Sequence, residues 1–297
     1  MLYVAVCAED FRRVLKMVRA GANVNQEFGH GWTPIVSAAV ARNRRICEIL
    51  LAHGADPNRG EQASSGALSH ACGRDSDSVA IIKLLVEHGV PPDRLVHAAA
   101  RNGTVRMVGQ LLRRGADPNL LNDHGHPPLR DARSPAVIRE LFRFGANPLA
   151  YSADCEHPLH YNAVRGRGRN VRALLAGGVP PDHPEPGPPD KPEIGEAYAL
   201  HMAVNGKRFR CARVLLEAGA NPELLSCYHT RTPLMTACRR GLARLVELLL
   251  KHGADPKRRI NDDTARSEAL LGLEQNPERK RSYRKILGML PSTDRGH

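Results

Sequence analysis

The chain has 297 residues, 42% of them hydrophobic but only 4% aromatic, and a formal net charge of +12. That length admits one large domain, two smaller ones or a repeat array; the scarcity of aromatics argues against an aromatic-cored sandwich or barrel and suits helices built from Ala and Leu. Its longest apolar runs, such as 46–52 with Glu48 already interrupting, fall well short of the ~20 residues of a membrane span, and the charge favours acidic partners or nucleic acid without bearing on fold.

The first ten residues contain neither a basic leader nor a long apolar segment, so no signal peptide is expected. The cysteines are Cys7, Cys47, Cys72, Cys155, Cys211, Cys227 and Cys238. Their number is odd and no C-x-x-C spacing occurs, which reads as reduced, mostly buried thiols of an intracellular protein.

In chain order, residues 2–25 begin directly in a short helical phrase and end in Gly21-Ala22-Asn23-Val24-Asn25. This ending recurs as Gly54-Ala55-Asp56-Pro57-Asn58, Gly89-Val90-Pro91-Pro92-Asp93 and Gly115-Ala116-Asp117-Pro118-Asn119. Further copies start at Gly145, Gly178, Gly219 and Gly253. The intervals between successive glycines are 33, 35, 26, 30, 33, 41 and 34 residues. Before each glycine the apolar residues follow helical spacing, as in Ile46, Ile49, Leu50 and Leu51, or Leu245, Val246, Leu248 and Leu249. That pattern predicts a one-sided buried helix stopped by a left-handed Gly, with the following Pro preventing its resumption. Upstream of each such helix lies a shorter one, clearest in Thr33-Pro34-Ile35-Val36-Ser37-Ala38-Ala39, His157-Pro158-Leu159-His160-Tyr161-Asn162-Ala163 and Thr232-Pro233-Leu234-Met235-Thr236-Ala237-Cys238. There Thr is expected to cap and Pro to take the first helical position.

These phrases resemble the ankyrin-repeat family, its Thr-Pro-Leu-His inner helix, its outer helix and its Gly-Ala-Asp turn, from about Leu2 to Leu290. The resemblance implies an all-α repeat solenoid: helix pairs joined by β-hairpin fingers in a curved stack, each repeat stabilised by its neighbours. The expected layout is a single domain over 1–290, with an N-terminal cap repeat at 2–25, full or irregular repeats over 26–257, a C-terminal cap repeat at 258–290 and a disordered tail at 291–297. Three irregularities stand out. The 26-residue interval has no room for a finger before Arg94. The 30-residue interval loses about a helical turn near Ser134-Pro135. The 41-residue interval inserts a Pro-rich stretch, 182–193, expected as an exposed extended loop.

In the family, partners touch finger tips and the concave inner-helix surface. The matching positions carry Trp32, His126, Glu156 and Arg231 on fingers, and Val40, Arg101, Arg165, Arg239 and Arg240 at inner-helix ends, with Arg167 of the adjoining turn added to the partner-binding set. Trp and Arg are the side chains that most often anchor interfaces. Arg and Lys also gather where inner helix turns to outer helix: Arg42, Arg44 and Arg45; Arg101 and Arg106; Arg165, Arg167 and Arg169; Lys207, Arg208 and Arg210; Arg239, Arg240 and Arg244. Stacked repeats would align them as a stripe, against the bland alternative of solvated turns. Nucleic acid ranks below an acidic protein segment, because the stripe lacks interleaved aromatics.

The resemblance gives His97, His160 and His201 a bracing role, while His53, His88 and His252 precede the terminal Gly at helix C-termini. Asp123, His124 and His126 on one finger and Cys155, Glu156 and His157 on the next lack the ligand spacing of a zinc site. No nucleophile elbow, phosphate loop or His-Glu-x-x-His helix occurs. The expectation is therefore a monomeric, non-enzymatic adaptor of cytoplasm or nucleus that binds an acidic or extended protein segment, with no catalytic residues, cofactor, metal or membrane span. The rival expectation is an enzyme or small-molecule binder using a groove around the irregular repeats, 94–200.

Overall fold

The computed structural model describes residues 1–59, 76–102, 104–185, 197–225 and 231–292. Its contacts divide the chain into two compact units, Met1–Asn147 and Pro148–His297. The first contains α1 (Leu2–Cys7), α2 (Phe11–Arg19), α3 (Pro34–Val40), α4 (Arg44–Ala52), α5 (Ser76–Glu87), α6 (Asp93–Asn102), α7 (Val105–Arg113), α8 (Pro128–Asp131) and α9 (Pro135–Arg143). The second contains α10 (Pro158–Val164), α11 (Gly168–Ala176), the two-residue strands β1 (Pro184–Glu185) and β2 (Ala197–Tyr198), α12 (Ala199–Asn205), α13 (Phe209–Glu217), α14 (Pro233–Arg239), α15 (Ala243–Lys251), α16 (Ala265–Gln275) and α17 (Lys280–Met289).

Within each unit the short inner helices pack side by side, α1 on α3 and α6 on α8 in the first, α10 on α12, α12 on α14 and α14 on α16 in the second. The outer helices do the same, α2–α4–α5–α7–α9 and α11–α13–α15–α17. Small residues allow the inner helices to approach closely: Ala38, Ala39, Ala99, Ala100, Ala163, Ala203 and Ala237 are buried. The branched residues of the outer helices close the core from the other side, with Ile46, Leu50, Ile81, Leu85 and Leu111 in one unit and Val171, Leu174, Leu215, Val246 and Leu249 in the other. No one helix pair could bury these faces alone, so stability is a neighbour-to-neighbour property.

The recurring Gly phrase has a two-part physical reason. The eight glycines have φ between 83° and 97°, while a Cβ built on any of them would meet nothing within 4 Å. Conformation, not space, demands glycine there. The residue that closes the phrase ties one repeat to the next. Asn25 Nδ2 donates to the Gly54 carbonyl (2.9 Å) and its Oδ1 accepts from Asp56 N–H (2.7 Å). Asn119 repeats this with Gly145 and Asn147 (3.1 and 2.6 Å). In the second unit Asp182 accepts from Asn221 N–H (3.0 Å) and Glu223 from Asp255 N–H (2.9 Å).

The caps follow expectation in part. Thr232 Oγ1 accepts from Met235 N–H (3.2 Å), and Thr264 and Ser267 form a reciprocal capping box. Thr33 makes no such bond, and at α10 the capping atom belongs to His157, whose Nδ1 accepts from Leu159 N–H (3.1 Å). Hairpin fingers are present as the Phe28–Trp32 and Ile260–Asp263 bridges. The 26-residue interval has no finger, for α6 starts at Asp93 directly after the Gly89 turn. In the 30-residue interval the loss falls on the inner helix: α8 is only 4 residues long, and Ser134, extended ahead of Pro135, caps α9 instead. Of the Pro-rich insertion, Pro184 and Glu185 pair antiparallel with Tyr198 and Ala197; its residues 186–193 lie outside the described residues.

Cys47, Cys211 and Cys238 are buried and free, whereas Cys7 is exposed and Cys155 half-buried. Burial pushes the Cys47 thiol up to about 12 and Cys211 up to about 11, so both stay protonated and inert at neutral pH. Cys72 and Cys227 fall outside the described residues.

Candidate partner-binding surface

The turns between inner and outer helices in the second unit present a basic edge. After α10 the chain reverses through Arg165, Gly166 (φ 74°) and Arg167. The guanidinium carbons of Arg165 and Arg167 lie 5.0 and 5.4 Å from the Tyr161 ring centre. From the next turn Arg208 reaches back, its Nε–H donating to the Val164 carbonyl at 2.9 Å. Its stem lies over Gly166, where a Cβ would come within 2.9 Å of Arg208 Cδ. One repeat later Arg244 covers the Phe209 ring (4.7 Å), and Arg279 donates to the Arg240 carbonyl (2.9 Å). In the first unit Arg45 lies over the Phe11 ring at 3.7 Å in the same way.

Among the described residues, none of Arg165, Arg167, Arg169, Lys207, Arg208, Arg210, Arg240 and Arg244 pairs with a carboxylate. Arg172 and Arg213, away from the turns, both pair with Glu217 (3.1 and 3.6 Å). The turn edge therefore carries uncompensated charge, which makes a local positive field.

Two other arginines from the predicted set turn inward, toward a carboxylate that sequence reading passed over. Glu268, the fourth residue of α16, is 1% exposed and receives Arg231 and Arg239, the latter at 3.0 Å. The first unit holds a counterpart. Asp131, the fourth residue of α8, accepts from His97 Nδ1–H (3.2 Å), Arg101 (3.4 Å) and Asn122 Nδ2–H (3.2 Å). Burial pushes the Asp131 carboxyl up, but the His97 hydrogen bond and then the Arg101 charge outweigh it and hold it below the ordinary carboxylate value. Arg101 and Asp131 are 30 residues apart, and Arg239 and Glu268 are 29 apart. An Arg at an inner-helix end and an acid about one repeat later was the available signal. His97 Nε2 faces the Leu120 carbonyl at 2.7 Å, so both ring nitrogens are engaged and the His97–Asp131 pair braces the stack.

The finger residues sit as follows. Trp32 is half-buried and exchanges backbone hydrogen bonds with Phe28 (2.7 and 3.1 Å). His126 Nδ1 accepts from Arg130 at 3.1 Å, and Glu156 N–H donates to Ser152 Oγ at 3.0 Å. His126 and Glu156 belong to different units. No group of three His, Cys, Asp or Glu among the described residues is placed to hold a metal ion. The helix-end histidines donate Nδ1–H to the carbonyl four residues back: His53 to Ile49 (2.8 Å), His88 to Leu84 (2.8 Å) and His252 to Leu248 (2.9 Å). A groove of about 680 Å³ opens between α4, α5 and α7. Its rim is laced by the Arg44–Glu48 pair (2.7 Å) and the Lys83–Glu87 pair (3.8 Å), and only its 104–110 side falls within the 94–200 span of the rival expectation.

A ring cluster underlies the Pro-rich insertion. Tyr151 O–H donates to the Pro184 carbonyl (2.7 Å) and so accepts from His183 Nε2–H (2.7 Å). His157 packs edge-on to His183 at 4.5 Å, gives Nε2–H to the Pro148 carbonyl (2.8 Å) and uses Nδ1 as the α10 cap. Burial, with the His183 charge, pushes the His157 imidazole down to about 4, against the raising effect of the Pro148 bond. A depressed histidine lets the unfolded chain bind the proton first. Its contribution is complete above about pH 6.5, shrinks as pH falls, and is gone below about 4, a total of about 3 kcal/mol. Urea midpoints at pH 7 and pH 4.5 should therefore diverge less in His157→Asn, which keeps a capping oxygen, than in the parent. Equal divergence removes His157 from this account.

Stacked helix pairs, hairpin fingers and Gly-terminated outer helices define a class, the helical repeat proteins. The sequence pattern described as ankyrin repeats (three copies) matches residues 2–95 and 159–260, and that of the single ankyrin repeat matches 95–123. The chain belongs to the ankyrin-repeat family. It is 32% identical over 148 residues to the mitochondrial disaggregase of Bos taurus, covering 46% of this chain and 21% of that protein. It is also 32% identical over 173 residues to ankyrin repeat and SOCS box protein 16 of Mus musculus, covering 54% and 36%. Each match spans about a third or less of the relative's length. Among solved structures, the ankyrin repeat domain of Bcl-3, a member of the IkappaB protein family, aligns with a TM-score of 0.50 at 25% identity, covering 65% of this chain and 86% of that one. No described helix is long and apolar enough to cross a membrane.

Proposed function

We propose that the chain is a monomeric, non-enzymatic adaptor of cytoplasm or nucleus that holds an acidic, extended segment of a partner protein against its inner helices, the basic turn edge of the second unit selecting the charge. The single observation that carries this is the set of turn cations, Arg165, Arg167, Arg169, Lys207, Arg208, Arg210, Arg240 and Arg244, without carboxylate partners among the described residues. Membership of a family of interaction repeats supports the adaptor class, and the finger residues Trp32, His126 and Glu156 would add contact area. Arg101, Arg231 and Arg239 leave this binding set in favour of structure, because each already faces Asp131 or Glu268. Nucleic acid fits the edge poorly: its two rings, Tyr161 and Phe209, each lie beside guanidinium groups and offer bases no open stacking platform.

Arg165→Glu, Arg167→Glu and Arg240→Glu together should lower affinity for a fluorescein-labelled polyglutamate peptide at least roughly tenfold at low salt, with the parent weakening as salt rises. The same triple variant should recover less of its partners by affinity capture from cells. Unchanged peptide affinity and unchanged recovery would remove the edge from the function.

A further inference from the structure

We infer that the turn at 164–168, with Arg208 laid across it, is a phosphate subsite that reads a phosphorylated serine or threonine within the acidic segment; this rests on the adaptor reading above. Three guanidinium groups serve one short stretch of chain. Arg165 and Arg167 share the Tyr161 ring, at 5.0 and 5.4 Å, and Arg208 is hooked to the Val164 carbonyl by its Nε–H at 2.9 Å. Ring contact and the carbonyl hook each restrict a long side chain before any ligand arrives, so less rotamer freedom is lost on binding. With Nε anchored, the two terminal nitrogens of Arg208 remain for an incoming anion.

The choice of residue points the same way. All three positions are arginine, whose planar fork matches the oxygens of phosphate in paired hydrogen bonds, whereas diffuse attraction to carboxylates is served equally by lysine. A phosphomonoester brings close to two negative charges and three acceptor oxygens to a single point. A carboxylate brings one charge and two oxygens, too little for three guanidinium groups held at one turn with no described carboxylate among them. Gly166 and Gly168 keep the floor of the turn bare. A side chain at 166 would collide with Arg208, and one at 168 would come within 3.4 Å of Arg210 Cβ.

The test uses the full chain and three short fluorescein-labelled peptides with two glutamates on either side of a central residue: serine, phosphoserine or glutamate. Fluorescence anisotropy should give the phosphoserine peptide an affinity roughly tenfold above the serine peptide and clearly above the glutamate peptide. Arg165→Lys with Arg167→Lys keeps the charge and removes the fork, so it should erase most of the phosphate gain while leaving the glutamate peptide nearly unchanged. Arg172→Gln, which alters an arginine paired with Glu217, should keep the gain. If the glutamate and phosphoserine peptides bind alike, or if the gain survives in the double lysine variant, the phosphate subsite is wrong and the acidic-segment reading stands. If none of the three binds, both readings fail. The lysine variants alter exposed or half-exposed groups, and a melting curve matching the parent separates lost recognition from lost folding.

Discussion

Glu268→Ala should be among the most damaging single changes in the second unit, lowering stability by about 3 kcal/mol. Glu268 is 1% exposed and is approached by Arg231 and Arg239, themselves 35% and 27% exposed. Truncation leaves two positive groups facing each other over an empty socket, the worst arrangement for a buried ion pair. The figure sits at the low end of the range for such losses because both arginine heads still reach water. At about 2–4 °C per kcal/mol for a domain of this size, the melting temperature should fall by roughly 6–12 °C. Replacing the cluster with apolar groups, as in Glu268→Leu with Arg239→Met, should recover much of the loss, since an uncharged core avoids the desolvation cost altogether. Denaturant midpoints of the single and double variants check this. A loss under about 1 kcal/mol for Glu268→Ala would mean that the pair is solvent-screened and that Arg239 is free for a partner after all.

Gly272→Ala should also destabilise, by about 2 kcal/mol, although helix propensity alone points the other way. Within a helix, alanine is better than glycine by roughly 0.5–1 kcal/mol. At Gly272, however, an added Cβ would fall inside the Arg239 carbonyl and within 2.8 Å of Tyr283 Cε1 and Oη. Tyr283 is fully buried and fixed by its own O–H bond to that same carbonyl (2.8 Å). Neither neighbour has room to retreat, so α16 must move off α14, and overpacking wins over propensity. Gly288 of α17 is the internal control: nothing lies within 4 Å of its Cβ position, and Gly288→Ala should stabilise by roughly 0.5–1 kcal/mol. Gly109→Ala falls between them, because the obstacle is the Glu140 carboxylate at 2.5 Å, the free end of a flexible side chain. Chemical denaturation of the three variants should rank them in that order, and stabilisation by Gly272→Ala would show that the α14–α16 seat is looser than described.

The two expectations bear on function as well as stability. Arg239 contributes its side chain to Glu268 and its carbonyl to Tyr283, while the side chain of its neighbour Arg240 reaches the Asn205 amide oxygen at 3.5 Å and, among the described residues, no carboxylate. Adjacent residues in one turn thus divide between holding the stack and facing outward. Charge reversal at Arg240 tests recognition; at Arg239 it would test folding.

Sequence alone determined the repeat, its period and the position of every Gly turn, because those features are local. A left-handed residue, a proline that cannot continue a helix and an apolar stripe of fixed spacing each leave their mark within a few residues. It also marked the intervals before Gly115 and Gly145 as shortened, since a missing turn is a missing length; the second loss fell on the inner helix α8. The division of the arginines was decided only in three dimensions. Whether Arg101 or Arg165 meets a carboxylate depends on what the next repeat sets beside it about 30 residues later, and on whether that acid points inward, as Asp131 and Glu268 do. The same holds for His157, whose capping of α10 and contact with His183 come from the finger fold and the insertion meeting over one ring. Local chemistry fixes elements; the sign and availability of charge at a surface are set by the neighbour that packs against it.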